Sequence, residues 1–524
     1  MTPPTPHVAI IGAGIGGLSA ALRLAHSGAR VSVFERHAGP GGKMRTVPSV
    51  AGPVDAGPTV LTMKPVFDAL FADTGSALEN HVTLHREEVL ARHFWPDGTT
   101  LDLMADTDHS TDNIARTFGP KAAAEFTAFA TRAAALFDAF EVPMMHTAAP
   151  SQLSLTAQVL RAPDLLRKME PHRTLARSLA RQFSEPKLAQ LFGRYATYVG
   201  GRPDASPALL SLIWQAEARG VWHVEGGMHT LARAIMERAQ TLGATFHFNA
   251  HVHDIDMTGG RPRAILTDAG ETSADAVLFN GDPRALQQGH LGNAAARAVP
   301  KSATEPRSLS AYVHSFAARA QGVPLAGHNV FFCADPKTEF GALAKGRMPR
   351  DATLYVCAQD RFGDKTPDGP ERFEIIMNAP ASPDATPLSP EEITTCHAST
   401  LARLLAFGLH FTPRPPAASL TMPQNFAAMF PASSGALYGR SPHGMTAAFK
   451  RPTVRSRIPG LYLVGGGVHP GAGIPMATLC AAHAAAAITA DLSLTSTSPQ
   501  AATHGGTSTA SPTMAPAPSP SSPL

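Results

Sequence analysis

Three glycines, Gly12, Gly14 and Gly17, are spaced GxGxxG directly after the β-branched run at residues 7–11 and directly before helical periodicity at residues 18–26. That spacing serves one kind of chemistry, holding the pyrophosphate of a dinucleotide. Gly12 permits the tight turn, Gly14 lets the backbone approach the phosphates, and Gly17 lets helix and strand pack closely. Free N–H groups at the helix N-terminus then face the anion. The helix ends at Gly28, residues 31–34 read as a second strand, and Glu35 stands where a carboxylate accepts bonds from the adenosine ribose. Glycines serving only a turn would not require strand, helix and acid to coincide, so the nucleotide reading is preferred. The βαβ unit alone does not separate FAD from NAD.

Further chemistry-bearing residues follow. Gly41, Gly42 and Lys43 come soon after Glu35, with Arg45 just beyond, and Asp55-Ala56-Gly57-Pro58-Thr59 follows these. Near the other end, Gly465, Gly466, Gly467, Gly471 and Gly473 crowd between a short strand and the helical stretch that starts around Met476. His223, His229, His443 and His469 are candidates to take a proton, yet a lone histidine is more often structural, and no catalytic base is assigned. Trp214, Trp222, Tyr195 and Tyr198 read as core. Cys333, Cys357, Cys396 and Cys480 are far apart with no metal-ligand spacing, so no metal is expected and the thiols read as reduced and buried.

The elements that must position these residues form an α/β chain with several packed units, as 524 residues require. Residues 122–140 and 155–192 are helical with prolines at the breaks, and a helical insertion is expected over 101–221. A helix at 230–241 and strands at 245–248 and 276–279 resume the α/β layer. Strands at 311–316, 354–358 and 373–378 predict a second, mixed or mostly antiparallel sheet. A last strand at 461–464 precedes a helix over 475–491. The resulting expectation is a discontinuous Rossmann-type FAD-binding domain (5–75, 222–290 and 445–492), a substrate domain (76–100 and 291–444), and a tail from 493 to 524 too rich in Ser, Thr, Pro and Ala to fold.

Composition narrows the partners. Hydrophobic residues make up 44% and charged residues 16%, leaving a charge-poor surface suited to an apolar ligand. A net charge of +3 without a basic stripe argues against nucleic acid. The N-terminus lacks the basic region of a signal peptide, and the C-terminal alanine run reads as too weakly apolar for a membrane span. A cytoplasmic protein with at most peripheral membrane contact is expected. The helical region, with Phe126, Phe129, Phe137, Phe140, Met144 and Met145, reads equally as internal packing or as a bilayer-facing surface.

Glu35-Arg36 followed by Gly-Gly-Lys resembles the start of FAD enzymes of the amine oxidase and phytoene desaturase superfamily, and residues 460–474 resemble the C-terminal signature of its bacterial carotenoid desaturases. Arg194–Tyr198, Asn280-Gly-Asp-Pro283 and residues 435–439 fit as well, so the resemblance runs over about residues 7–490. It implies FAD, with Lys43 and Arg45 near phosphate or flavin oxygens, Val252 at the adenine, and Gly466, Gly467, Gly473 and Met476 beside the isoalloxazine. Val468 and Cys480 depart from the pattern. Residues 221–228 are most similar to 1-hydroxycarotenoid 3,4-desaturases. The implied reaction passes a hydride from an allylic carbon to the flavin, with a proton lost from the neighbouring carbon. Phytoene desaturation, amine or porphyrinogen oxidation, and carotenoid binding without turnover are the competing readings, and no motif names the electron acceptor or the oligomeric state.

Overall fold

The computed structural model describes residues 5–362, 367–381 and 389–492; the expected tail lies outside them. Strand β1 (His7–Ile11) is buried along its whole length because it sits in the middle of a five-stranded parallel sheet. Its neighbours are β2 (Arg30–Phe34) and Ala276–Phe279, with Thr245–His247 and Leu461–Leu463 at the edges. Helix α1 (Ile15–His26) covers one face and packs between the helices Met228–Thr241 and Ile474–Leu492. A strand–helix–strand crossover of this kind requires sheet residues that are apolar on both faces, as Val8, Ile10, Val31 and Val33 are.

Ile474–Leu492 is long and apolar enough to cross a membrane by length and composition, with hydropathy 1.2, which the alanine run alone did not suggest. More than half of it is buried, and it lies against α1 and the helix Lys64–Ala72 as a core helix does. A three-stranded antiparallel unit, Val252–Thr258, Arg261–Thr267 and Gly270–Ser273, stands between two strands of the parallel sheet. Its polar, alternating residues did not register as strands in the sequence.

The second sheet has eight strands and is antiparallel except where His328–Phe331 pairs with Val89–Phe94. Thr100–Met104 extends it beyond the expected boundary at residue 100, so the helical region begins at Thr107. The boundary at 221–222 likewise falls inside a strand, Val221–Val224, which pairs with Leu61–Thr62 and Leu84–Arg86. Period-two alternation splits the long strand Glu371–Ala379 into two faces. Phe373, Ile375 and Met377 join the core beneath the helix Pro390–Ala406. Glu374, Ile376 and Asn378 face the opposite way, into the large cavity described below.

One long helix, Pro120–Phe140, and several shorter ones between residues 107 and 218 form the helical region, some opened by proline in the first turn (Pro120, Pro163, Pro186) and some capped by Asp106, Ser151, Thr174 or Glu185. Phe192 is their hub: its ring lies 4.3 Å from Phe129, 5.3 Å from Phe183, 5.7 Å from Phe126 and 5.5 Å from Trp214 between centroids. Phe126 and Phe129 therefore belong to internal packing. Phe192→Ala is expected to lower stability by about 3–5 kcal/mol, read as a fall in urea midpoint. A loss under ~1 kcal/mol would mean that the helices are held by something other than this ring cluster.

Candidate functional site

One cavity of about 1070 Å³ runs from the edge of the parallel sheet to the helical region. Its first limb is lined by backbone. Gly12 and Gly14 form the turn after β1, and Gly14 is the N-cap of α1 with no side-chain cap and no acid in the first turn. The first N–H groups of α1 are thus left for an anion. Gly17 does not line the cavity; a Cβ there would stand 2.1 Å from the Gly12 carbonyl oxygen, so it sets how closely α1 lies on β1.

The glycine pair after Glu35 closes against this turn. Gly41 donates to the Ala13 carbonyl at 2.8 Å, and a Cβ on Gly42 would meet Gly14 Cα at 3.0 Å. Glu35 is buried at the end of β2, accepting from the Ala13 N–H at 2.7 Å and the His37 N–H at 2.9 Å. Each carboxylate oxygen keeps a further lone pair, and Glu35 is among the residues that line the cavity. Ala250 donates to the Glu35 carbonyl, which brings Val252 to the same wall.

The opposite wall is the C-terminal glycine cluster. Gly466, Gly467, Gly473 and Met476 all line the cavity, and Gly473 precedes the N-terminus of Ile474–Leu492, a second helix end aimed at the same space. Val468 and Cys480, the two departures from the family pattern, are buried behind this wall. Two groups that organise the site were not singled out as binding residues. Gly16 has room for no side chain, since a Cβ would lie 2.9 Å from Gly465 Cα and 2.8 Å from Asn280 Oδ1. Asn280 donates to the carbonyls of Gly12 and Gly14 at 3.0 and 3.2 Å and so pins the turn. The doubled glycine at 16–17 and an amide directly after a buried strand were the available signals.

Cations gather beside the glycine walls. Lys43 is open to the cavity rather than to bulk solvent; it donates to the Leu437 carbonyl at 2.5 Å, and burial brings its ammonium down to about 8. Arg451 also lines the cavity and donates to the carbonyls of Gly466, Tyr438 and Arg440 at 2.8–2.9 Å, with burial lowering it to about 10. Arg45 bonds Thr421 Oγ1 at 3.1 Å and lies over the Phe426 ring, farther along the cavity. A glycine cradle with no Cβ in the way, two helix N-termini and enclosed cations fit the pyrophosphate and ring system of FAD.

The second limb is apolar where the helical region closes it, with Phe137, Phe140, Met144, Leu155, Val159 and Met169 among its lining. Its floor is the face of the second sheet carrying Tyr355, Glu374 and Ile376, and Tyr198 joins the wall. Tyr198 accepts from Arg194 at 2.9 Å, whereas Tyr195, Trp214 and Trp222 are core side chains. None of His223, His229, His443 or His469 lines the cavity. His229 bonds the Pro40 carbonyl, His443 accepts from the Arg202 N–H, His469 bonds the Thr147 carbonyl, and His223 stacks on Phe362. Among the described residues there is no cluster able to hold a metal.

A profile of the flavin containing amine oxidoreductases matches residues 15–489, and the chain belongs to that family. Cyclohexylamine oxidase from Brevibacterium oxydans superposes with a TM-score of 0.57 over 94% of this chain and 100% of that one at 16% identity, a likeness of fold. The chain is 51% identical to hydroxyneurosporene desaturase of Cereibacter sphaeroides over 93% of its own length and 98% of that protein. It is 48% identical to the enzyme of the same name from Rhodobacter capsulatus, covering 92% and 98%, and 29% identical to the 1-hydroxycarotenoid 3,4-desaturase of a Flavobacterium species, covering 92% and 98%. Within the family it is thus an FAD oxidoreductase of the bacterial carotenoid desaturase group.

Gly14→Val would push a branched side chain onto Asn280 and into the pyrophosphate path, and the purified variant should carry no FAD by absorbance. Normal flavin content would remove the nucleotide limb from consideration. Lys43 should make flavin retention pH-dependent. A bound anion favours the charged ammonium, so affinity is full below the free value of about 8 and falls as pH rises through it. Titrating FAD release between pH 6 and 10 should show this fall in the wild type and a flattened profile in Lys43→Met; identical profiles would exclude a Lys43–anion contact.

Proposed function

We propose that the protein introduces the C-3,4 double bond into acyclic carotenoids that carry a hydroxyl or methoxy group on C1. The observation that carries this reading is the continuity of the cavity: the glycine-walled limb opens without a break into an apolar limb built from the sheet face and the helices. Bound FAD supplies the electron-pair acceptor that removal of two hydrogens from a carbon pair beside a polyene requires. The chain contributes position. Phe137, Phe140, Met144 and Val159 give a long apolar chain a dry enclosure, and the enclosure holds one carbon pair at the cofactor end.

No side chain is assigned as a base, because a carbon beside an extended conjugated system loses its proton readily once the electron pair has gone. Exposed Val142, Leu153 and Leu160, at 65%, 85% and 64%, lie close in sequence to cavity residues Met144, Leu155 and Val159. They support substrate entry from a membrane surface and a peripheral location, with the helical region as the docking edge.

The test is anaerobic incubation of the FAD-loaded protein with 1-hydroxyneurosporene, phytoene or a primary amine, following flavin bleaching together with the polyene spectrum. Bleaching with a red-shifted polyene for the hydroxylated substrate alone is expected. Turnover of phytoene would move the enzyme to an earlier desaturation, bleaching by the amine would move it to amine oxidation, and no bleaching at all would leave a carrier.

A further inference from the structure

Glu374 is the least satisfied polar group in the cavity wall. It is 0% exposed, it lines the cavity, and neither carboxyl oxygen has a hydrogen-bond partner among the described residues. Strand register explains its direction: Phe373 and Ile375 on either side point into the core, so Glu374 points the other way. Its cross-strand neighbours are Ser315 and Cys357, neither of which bonds it.

The obvious partner is engaged elsewhere. Arg45 spends a guanidinium N–H on Thr421 and lies over Phe426, and its own Nε is buried without a partner. The carboxylate of Asp55, also close to Glu374, accepts from the Met228 and His229 N–H groups. Burial first, and then the Asp55 charge, hold Glu374 well above the usual carboxylate range, with Arg45 opposing only in part. That surrounding favours the protonated carboxyl, which has one O–H to donate and a carbonyl to accept. An acid left this way in an apolar wall is destabilising unless a ligand completes it.

Its position restricts what that ligand group is. The strand Val54–Asp55 packs on Glu371–Ala379, and the residues after it run to Gly57, where a Cβ would stand 1.9 Å from the Lys43 carbonyl oxygen. Glu374 thus lies at the cofactor end of the apolar limb, near the glycine walls, and not at the helical mouth. In a carotenoid with oxygen on C1, that oxygen is attached only two carbons from C3, so a residue that reads it must stand beside the reacting bond. A neutral acid suits both members of the class, because it donates to a methoxy oxygen and both donates to and accepts from a hydroxyl.

We propose that Glu374 is the specificity-determining residue that receives the C1 oxygen of the substrate and sets the register of the polyene against the cofactor. This rests on the desaturase reading above. Glu374 takes no part in bond breaking; it selects the oxygenated chain over the hydrocarbon of the same length.

The experiment compares FAD-loaded wild type, Glu374→Gln and Glu374→Met. Affinities for 1-hydroxyneurosporene and neurosporene are measured from the shift of polyene absorption on binding, and kcat and KM from anaerobic bleaching. The wild type should prefer the hydroxylated polyene, the preference should fall roughly 10- to 100-fold in Glu374→Met, and Glu374→Gln should keep most of it because an amide also donates and accepts. Flavin content should be unchanged, and the melting temperature of Glu374→Met should rise as an unsatisfied buried acid is removed. Equal affinity of the wild type for the two polyenes, or a Glu374→Met variant that keeps the preference, overturns the assignment. Discriminating binding without bleaching in the wild type would instead overturn the desaturase reading and leave Glu374 as the oxygen-reading group.

Discussion

The structure turns on a crowded backbone crossing. Gly16 in the first turn of α1 and Gly465 after the last strand pass so closely that a methyl group on either would strike the other chain or Asn280. Close-packed interiors do not relax around such a contact. The Asn280 amide then ties the carbonyls of Gly12 and Gly14 to the strand between them, so three segments far apart in sequence share one fixed geometry. The glycine walls and the two helix ends meet at this crossing, while Lys43 is held by the Leu437 carbonyl and Arg451 by those of Gly466, Tyr438 and Arg440.

Beyond the crossing, the two sheets do different work. The parallel sheet offers backbone, which suits a ligand of phosphates and planar rings. The second sheet offers side chains on one pleat face, with Ala311, Val313 and Ile376 apolar, Tyr355 and Asn378 polar, and Glu374 bearing a carboxyl. Because period-two alternation is rigid, the face that meets the cavity and the face that meets the helix Pro390–Ala406 are set by the same nine residues. The helical region closes the apolar limb and is itself held to the sheet by the rings around Phe192 and Trp95.

What could be read from the sequence was local. The first strand, glycine turn, helix and acid lie within thirty residues, and the glycine cluster near the end is contiguous, so both were legible, and with them the cofactor class and the α/β layer. Long-range contacts were not legible. Asn280 matters because it reaches back to Gly12 and Gly14, and its place directly after a buried strand marks the residue without naming those partners. Glu374 sits in a run, Glu371–Ala379, whose alternation predicts a strand but leaves open which face is wet. An acid there reads as solvent-facing until the partner sheet is known. The antiparallel unit from Val252 to Ser273 was missed for the opposite reason. Its strands are polar on their exposed faces and short of apolar residues, and only their pairing across Gly259-Gly260 reveals them.

The edge strand Leu461–Leu463 has a consequence for how the protein is made. During synthesis the chain emerges from its N-terminus, and β1, the glycine turn and α1 are out of the ribosome long before residue 461 has been added. The opposite wall of the cradle, and one of the two helices that flank α1, do not yet exist. A nascent chain thus carries an incomplete nucleotide pocket and a partly uncovered helix α1 until that distant segment has been added. The nucleotide cradle is therefore complete, and able to enclose FAD on both sides, only once the segment through Ile474–Leu492 has joined the sheet.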